Sequence, residues 1–207
     1  MKILEVKSLV IPEVKIIKFA RFADGRGYFT ETYRASDFNT ILPDFKIVQV
    51  NESHSQKGII RGLHLQWNPY LGKLIRTIRG HMVDLVSDLR KNSPTYGKII
   101  AYDMLSQSSD AAGEWIWVPV GFAHGNFFLE ETTIEYFCTG EYSPTTEAGI
   151  SPLSTDLDWS LCNQMLKNQF DELVKSGAVI SEKDKKGLSL REWGSDPRSE
   201  NFIFGKV

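Results

Sequence analysis

From residue 3 to about residue 140 the chain is a succession of short runs rich in Val, Ile, Thr, Tyr, Phe and Trp, divided by turn-forming residues. The runs are Val14–Phe19, Phe45–Val50, Leu74–Ile78, Met82–Val86, Lys98–Met104, Trp115–Val120, Asn126–Leu129 and Thr133–Thr139. Between them stand Asp24-Gly25, Arg79-Gly80, Asn92-Ser93-Pro94, Pro119-Val120-Gly121 and Thr139-Gly140. Short β-type runs at this spacing predict an all-β sandwich or barrel. The last quarter changes character. Cys162, Met165, Leu166, Phe170, Leu173 and Val174 recur at helical spacing and Gly177 follows as a stop, which predicts a helix. A polar run, Ser181–Lys186, leads on to Leu188, Leu190 and Trp193. The expected organisation is one domain over residues 1–207, with a β core over about 3–158 and a helical or irregular tail over about 160–207 packed on it, since so short a tail makes a poor core alone.

Composition narrows the function. With 24 basic and 26 acidic side chains there is no basic excess of the kind that marks nucleic-acid binding. No run reaches the roughly 18 apolar residues of a membrane span, and charges at positions 2, 5 and 7 break any signal-peptide core. Nucleic acid and membrane are therefore not expected partners. Two cysteines, Cys138 and Cys162, are too few for a disulfide framework or a thiolate zinc site and fit a reducing cytoplasm. Four histidines, His54, His64, His81 and His124, limit where proton chemistry near neutral pH can sit.

The densest polar cluster is Gln49-Val-Asn51-Glu-Ser53, followed by Arg61-Gly-Leu-His64-Leu-Gln66. On strands, Gln49, Asn51 and Ser53 share one face, as do Gly62, His64 and Gln66. Alternating polar residues also suit the wet side of a sheet, but amides and a histidine are costly to bury unpaired and are well suited to orienting a ligand. In Pro119-Val-Gly-Phe-Ala-His124-Gly125 the glycines flanking His124 fit either tight backbone geometry or close approach of a ligand. No His-x-His pair, Gly-x-Ser-x-Gly elbow or dinucleotide fingerprint is present, so spacing supports neither a metal site nor a serine nucleophile nor a bound cofactor. What remains is acid–base chemistry, with histidine as base, tyrosine as acid and a cation such as Lys73 beside a developing oxyanion.

Taken together, the motifs Asp24-Gly-Arg-Gly-Tyr-Phe-Thr-Glu31, Gln49-Val-Asn-Glu-Ser53, Arg61-Gly-Leu-His-Leu-Gln66, Gly72-Lys-Leu-Ile-Arg76, Asp84-Leu-Val-Ser-Asp-Leu-Arg90, Ser93-Pro-Thr-Tyr-Gly97, Val118-Pro-Val-Gly-Phe-Ala-His-Gly125 and Tyr136 to Tyr142 with Ser143-Pro144 resemble those of the dTDP-4-dehydrorhamnose 3,5-epimerase family, in family order. A weaker echo lies at Ser181-Glu-Lys-Asp184. The resemblance implies a cupin-type jelly roll without metal or cofactor, a homodimer that exchanges N-terminal strands, and a nucleotide-diphosphate 4-keto-6-deoxy sugar as substrate, inverted at C3, C5 or both. It implies His64 as base, Asp184 as its orienting carboxylate, Tyr136 as acid on the opposite face and Lys73 as cation over the 4-keto oxygen. It implies further that Arg26, Glu31, Gln49, Asn51, Arg61, His124, Glu147 and Lys183 hold sugar or diphosphate, with Tyr142 facing the sugar nucleotide. The segment 149–159 and Asn126, where the family carries Phe, depart from the pattern. Single-carbon epimerisation on a GDP- or CDP-linked sugar, a keto-isomerase and a non-catalytic sugar-nucleotide-binding module stay open as alternatives.

Overall fold

Alternation of large apolar and small or polar residues generates the strands, and their two faces are buried against different partners. The structure, a computed structural model, describes residues 1–43, 45–107 and 109–207. In chain order it runs β1 (Ile3–Ser8), β2 (Lys15–Ala20), β3 (Phe22–Asp24), β4 (Gly27–Phe29), α1 (Ala35–Ile41), β5 (Gln49–Ser55), β6 (Ile59–Gln66), β7 (Lys73–Asp88), β8 (Ile99–Ser106), β9 (Ala112–Val118), β10 (Phe122–Phe128), β11 (Thr132–Cys138) and β12 (Glu147–Gly149). The tail follows with α2 (Gln164–Lys175), β13 (Val179–Ile180), α3 (Glu182–Lys185) and α4 (Leu190–Ser195).

All strands except the β3–β4 hairpin belong to one hydrogen-bonded network that folds over along β7. The first half of β7 pairs with β11 and β9, and its second half with β10 and β8. One layer therefore reads β5-β11-β7-β9-β2-β1 and the other β8-β7-β10-β6, with β12 and β13 both against β6. This is an all-β sandwich, as the run spacing predicts, in the jelly-roll form that the resemblance implies.

Three apolar clusters fix the layers. Between them lie Ile16, Ile75, Met82, Val86, Ile116, Phe122, Phe128 and Ile134. Outside the first layer, α1 buries Phe38 against Ile17, Phe19, Leu74, Trp115 and Phe137. Outside the second, the tail buries Leu166, Phe170, Trp193 and Phe202 against Leu63, Leu65, Val83, Leu85 and Phe127. Each such side chain contributes about 1.5–3 kcal/mol, so the tail closes the second layer. Helix α2 starts where the Asn163 side chain accepts the Met165 N–H at 2.8 Å, a capping arrangement. Among the described residues no helix is long and apolar enough to cross a membrane.

The structure corrects three expectations from sequence. Arg79-Gly80 is not a turn but lies inside the continuous strand β7. Gly80 is there because a side chain would collide with the next strand: an added Cβ would lie 2.4 Å from the Glu131 carbonyl, a separation no packed atoms tolerate. Residues 45–48 precede β5 rather than forming it, and Phe45 instead packs in the α1 cluster. The tail is not only helical, since Val179 and Ile180 pair in parallel with Ile59 and Ile60.

Candidate active site

At one end of the jelly roll the space between the layers changes from apolar to polar. Along β10 the inward positions read Phe122, His124, Asn126, Phe128, so two polar residues sit inside an otherwise aromatic stripe. The second layer contributes His64 and Gln66 from β6, Asp84 from β7 and Glu147 from β12; the first contributes Gln49 and Asn51 from β5, Lys73 from β7 and Tyr136 from β11. Two adjoining cavities of about 420 and about 500 Å³ share His64, Lys73, Tyr136 and Lys183 and form one groove.

His64 is placed by its neighbours on both sides. It pairs with His124 on β10 and with Gly149 on β12. Strands β6 and β10 approach unusually closely because Gly62 and Gly125 face each other: an added Cβ on Gly62 would lie 2.6 Å from the Gly125 Cα. Only glycine tolerates such contact. His64 Nε2 stands 2.7 Å from Asp184 Oδ1, and Asp184 Oδ2 also accepts the Gly62 N–H at 3.3 Å. Parallel pairing of β13 brings α3 to this spot, and the Ser181 hydroxyl accepts the Asp184 N–H at 3.1 Å, capping the helix. Burial opposes charge on Asp184, but the His64 imidazole and these donors together hold its carboxyl below the usual carboxylate range. A carboxylate at Nε2 fixes the tautomer with the proton there and leaves Nδ1 as the lone-pair nitrogen. Nδ1 is 3.6 Å from Glu147 Oε1. Glu147 is itself held by the Lys183 ammonium and by the Tyr142 hydroxyl, which donates at 3.2 Å.

Tyr136 faces the groove from the opposite layer, directly across from Asn51 in the β11–β5 register. Its hydroxyl is pushed up from the ordinary tyrosine range, chiefly by burial, so it stays protonated and able to donate. The Lys73 ammonium is pulled down by burial, while the Glu147 and Asp84 carboxyls support its charge. Asp84 Oδ2 is 2.7 Å from His124 Nε2. Burial pushes the Asp84 carboxyl up and the His124 imidazole down, each opposed by the other. The amides are pre-organised: Gln49 donates to Asn51 Oδ1 at 2.9 Å and accepts the Tyr142 N–H at 2.9 Å. Gln66 pins the 141–143 loop by donating to Glu141 O and accepting from Ser143 N–H, each at 2.8 Å. Arg61 lies at the rim, donating to the Ser55 hydroxyl at 2.9 Å.

Of the residues singled out from sequence, His64, Asp184, Tyr136, Lys73, Gln49, Asn51, Arg61, His124, Tyr142, Glu147 and Lys183 line this groove. Arg26 and Glu31 do not. Arg26 is on the exposed β3–β4 hairpin, paired with Asp24 at 2.7 Å, and Glu31 binds the N-terminal ammonium at 2.6 Å and Arg34 at 2.7 Å. Asp84, Asn126 and Cys138 have no role assigned from sequence, although Asp84 and Asn126 each interrupt an inward-facing apolar stripe. An acid at the centre of Met82-Val-Asp84-Leu-Val86 was the legible sign.

An imidazole steadied by a carboxylate thus faces a phenol and an ammonium across a cleft between two sheets. The chain belongs to the dTDP-4-dehydrorhamnose 3,5-epimerase family, a family of isomerases whose model matches residues 8–192. It is 39% identical over 204 residues to the dTDP-4-dehydrorhamnose 3,5-epimerase of Neisseria gonorrhoeae, covering 97% of this chain and 60% of that protein, so the chain spans less than two thirds of that relative's length. It is 45% identical over 147 residues to the enzyme of that name from Sinorhizobium fredii, covering 70% of this chain and 73% of the relative. The crystal structure of the dTDP-6-deoxy-D-glucose-3,5-epimerase of Legionella pneumophila in complex with dTDP-4-keto-L-rhamnose superposes with a TM-score of 0.80 at 30% identity, covering 98% of this chain and 99% of that one. That match identifies the jelly roll as cupin-type.

The depressed titration of Asp184 makes a pH prediction. As acid is added, the unfolded chain takes up this proton first, near the usual 3.8. Asp184 therefore stabilises the fold above that pH, and the contribution disappears as the pH falls through its lower folded value. Asp184→Asn removes that component. Urea unfolding between about pH 6 and pH 3 should show a shallower loss of stability in Asp184→Asn than in the native protein, whereas parallel losses would show that Asp184 has no depressed titration.

Proposed function

We propose that the groove inverts C3 and C5 of a dTDP-linked 4-keto-6-deoxy sugar by proton transfer across the two sheets. The observation that carries this reading is the opposition of His64 on β6 and Tyr136 on β11, with Lys73 in the same groove. His64 Nδ1 takes the proton from the carbon next to the ketone, and the C–H electron pair becomes the enolate. The negative charge that develops on the 4-oxygen is stabilised by the Lys73 ammonium. Tyr136 then gives its hydroxyl proton to the other face of the same carbon, which inverts it and restores the ketone, after which the imidazolium loses its proton to solvent and the tyrosinate takes one up from solvent, resetting the pair for the second carbon. Asp184 stabilises the imidazolium formed in the first step and keeps the ring aimed. Acid–base help of this kind is worth about 10²–10⁴-fold and an oxyanion partner about 10²–10³-fold.

His64→Gln keeps the shape of the site without a usable base. Turnover should fall by more than about 10³-fold, with the melting temperature little changed. Tyr136→Phe should still exchange the substrate's C3 or C5 proton with solvent but lose most inversion. Undiminished product formation by either variant contradicts the assigned role.

We infer further that the protein acts as a homodimer in which N-terminal strands cross to the partner. Leu4, Val6, Val10, Phe22, Tyr28 and Phe29 are all exposed on this segment, an apolar patch that a monomer rarely leaves bare. A second copy covering it would let Arg26 and Glu31 reach a groove they do not touch in their own chain. The cytoplasm is the compartment we assign, since Cys138 and Cys162 are free thiols. Light scattering on the eluting protein should give twice the chain mass of 23.5 kDa, and Phe29→Asp should lower both that mass and the activity. A fully active native monomer excludes the exchange.

A further inference from the structure

The groove holds a deeply buried polar side chain that neither the proton transfers nor the framework uses. Asn126 on β10 is 3% exposed, and its Oδ1 is buried with no hydrogen-bond partner among the described residues. Its neighbours on the same face are Phe122, His124 and Phe128, and it lines the same cavity as Arg61, His64 and His124. An amide left unpaired at such depth costs stability. A leucine of similar size would pack there without that cost, so the amide is kept for a partner that arrives with the substrate.

We propose that Asn126 is a specificity-determining residue that hydrogen-bonds the 2-hydroxyl of the sugar. The inference rests on the epimerase reading above and deepens it. Three observations identify the partner. First, the ligand atom is a hydroxyl and not a diphosphate oxygen. Asn126 lies deep and pairs across β7 with the buried acid Asp84, which repels a phosphate, whereas the cations suited to a diphosphate, Arg61 and Lys183, are exposed at the rim. A hydroxyl both donates and accepts, so it satisfies the carboxamide in either of its two orientations. Second, Asn126 pairs across β6 with Arg61, while His124, two residues back, pairs with His64. Along the groove the amide is thus nearer than the base to Arg61, one of the two cations suited to the diphosphate. In a sugar whose C1 carries the diphosphate, the hydroxyl next to that end is the one on C2. Third, a side chain held rigidly inside a strand suits a group that stays in place during the reaction. The hydroxyl on C3 changes face when C3 inverts, whereas the one on C2 does not.

The test compares kcat/KM of native protein and Asn126→Leu on the dTDP-linked 4-keto-6-deoxy sugar and on its 2-deoxy analogue, followed by NMR. The native protein should favour the 2-hydroxy sugar on the order of 10- to 100-fold, the range expected when a buried group loses its only hydrogen-bond partner. In Asn126→Leu that preference should shrink to within about threefold, through a loss on the 2-hydroxy sugar with little change on the analogue. Equal losses on both sugars would make Asn126 a purely structural residue and overturn the proposal. A native protein that treats the two sugars alike overturns it without any variant, so misfolding of Asn126→Leu does not protect it. Failure of the native protein to epimerise the 2-hydroxy sugar at all overturns the epimerase reading, and this inference with it.

Discussion

Strand β7 belongs to both layers, and the chemistry depends on that. Its first half pairs with β11 and its second half with β10, so the sheet folds over a strand that is continuous through Gly80. The fold-over turns the inward face of β11 toward the inward face of β10 and its neighbour β6. His64, the proposed base, and Tyr136, the proposed acid, are then held on opposite walls of a narrow space. Inverting a carbon requires that the proton leave one face and return to the other, and a single sheet offers no such opposition. Strand β7 also supplies Lys73 at its start and Asp84 past the bend, so the cation proposed for the enolate oxygen and the anchor of His124 are positioned by the same element.

Polar groups inside a jelly roll are expensive, and the protein offsets most of the cost locally. Asp184 is satisfied by His64, by Gly62 N–H and by its own helix cap. Asp84 and His124 answer one another, and Gln49, Asn51 and Gln66 are tied to neighbouring backbone and side chains. What stays unanswered is informative, because a buried group without a partner in a native site points to the ligand. Asp84 Oδ1 and Asn126 Oδ1 are both in this state, on cross-strand neighbours at the deep end of the groove.

Much of this was legible in the chain. The β runs, the α2 helix and the grouping of Gln49, Asn51, His64 and Gln66 follow from local periodicity, which a pleated strand converts directly into shared faces. What escaped depends on contacts far apart in sequence. Gly80 looks like a turn until Glu131 and Thr132 are packed against it. Asp184 lies 120 residues from His64, and only the pairing of β13 with β6 delivers it, so a short tail motif carried the assignment alone. Asn126 stands out in sequence as a departure in pattern, but the significance of its amide appears only once burial shows that no neighbour among the described residues satisfies its Oδ1. Arg26 and Glu31 mark the remaining boundary, since within one chain they pair with Asp24 and with the N-terminal ammonium and Arg34 rather than reach the groove.

Opposed-face proton transfer is tested most directly by following the native protein with the dTDP-linked 4-keto-6-deoxy sugar in D₂O by proton NMR. Each carbon that inverts should acquire deuterium from solvent in step with its inversion, while C2 stays protonated. Inversion that retains the original proton at C3 and C5 would contradict the account, because it would place the bond-making chemistry somewhere other than between His64 and Tyr136.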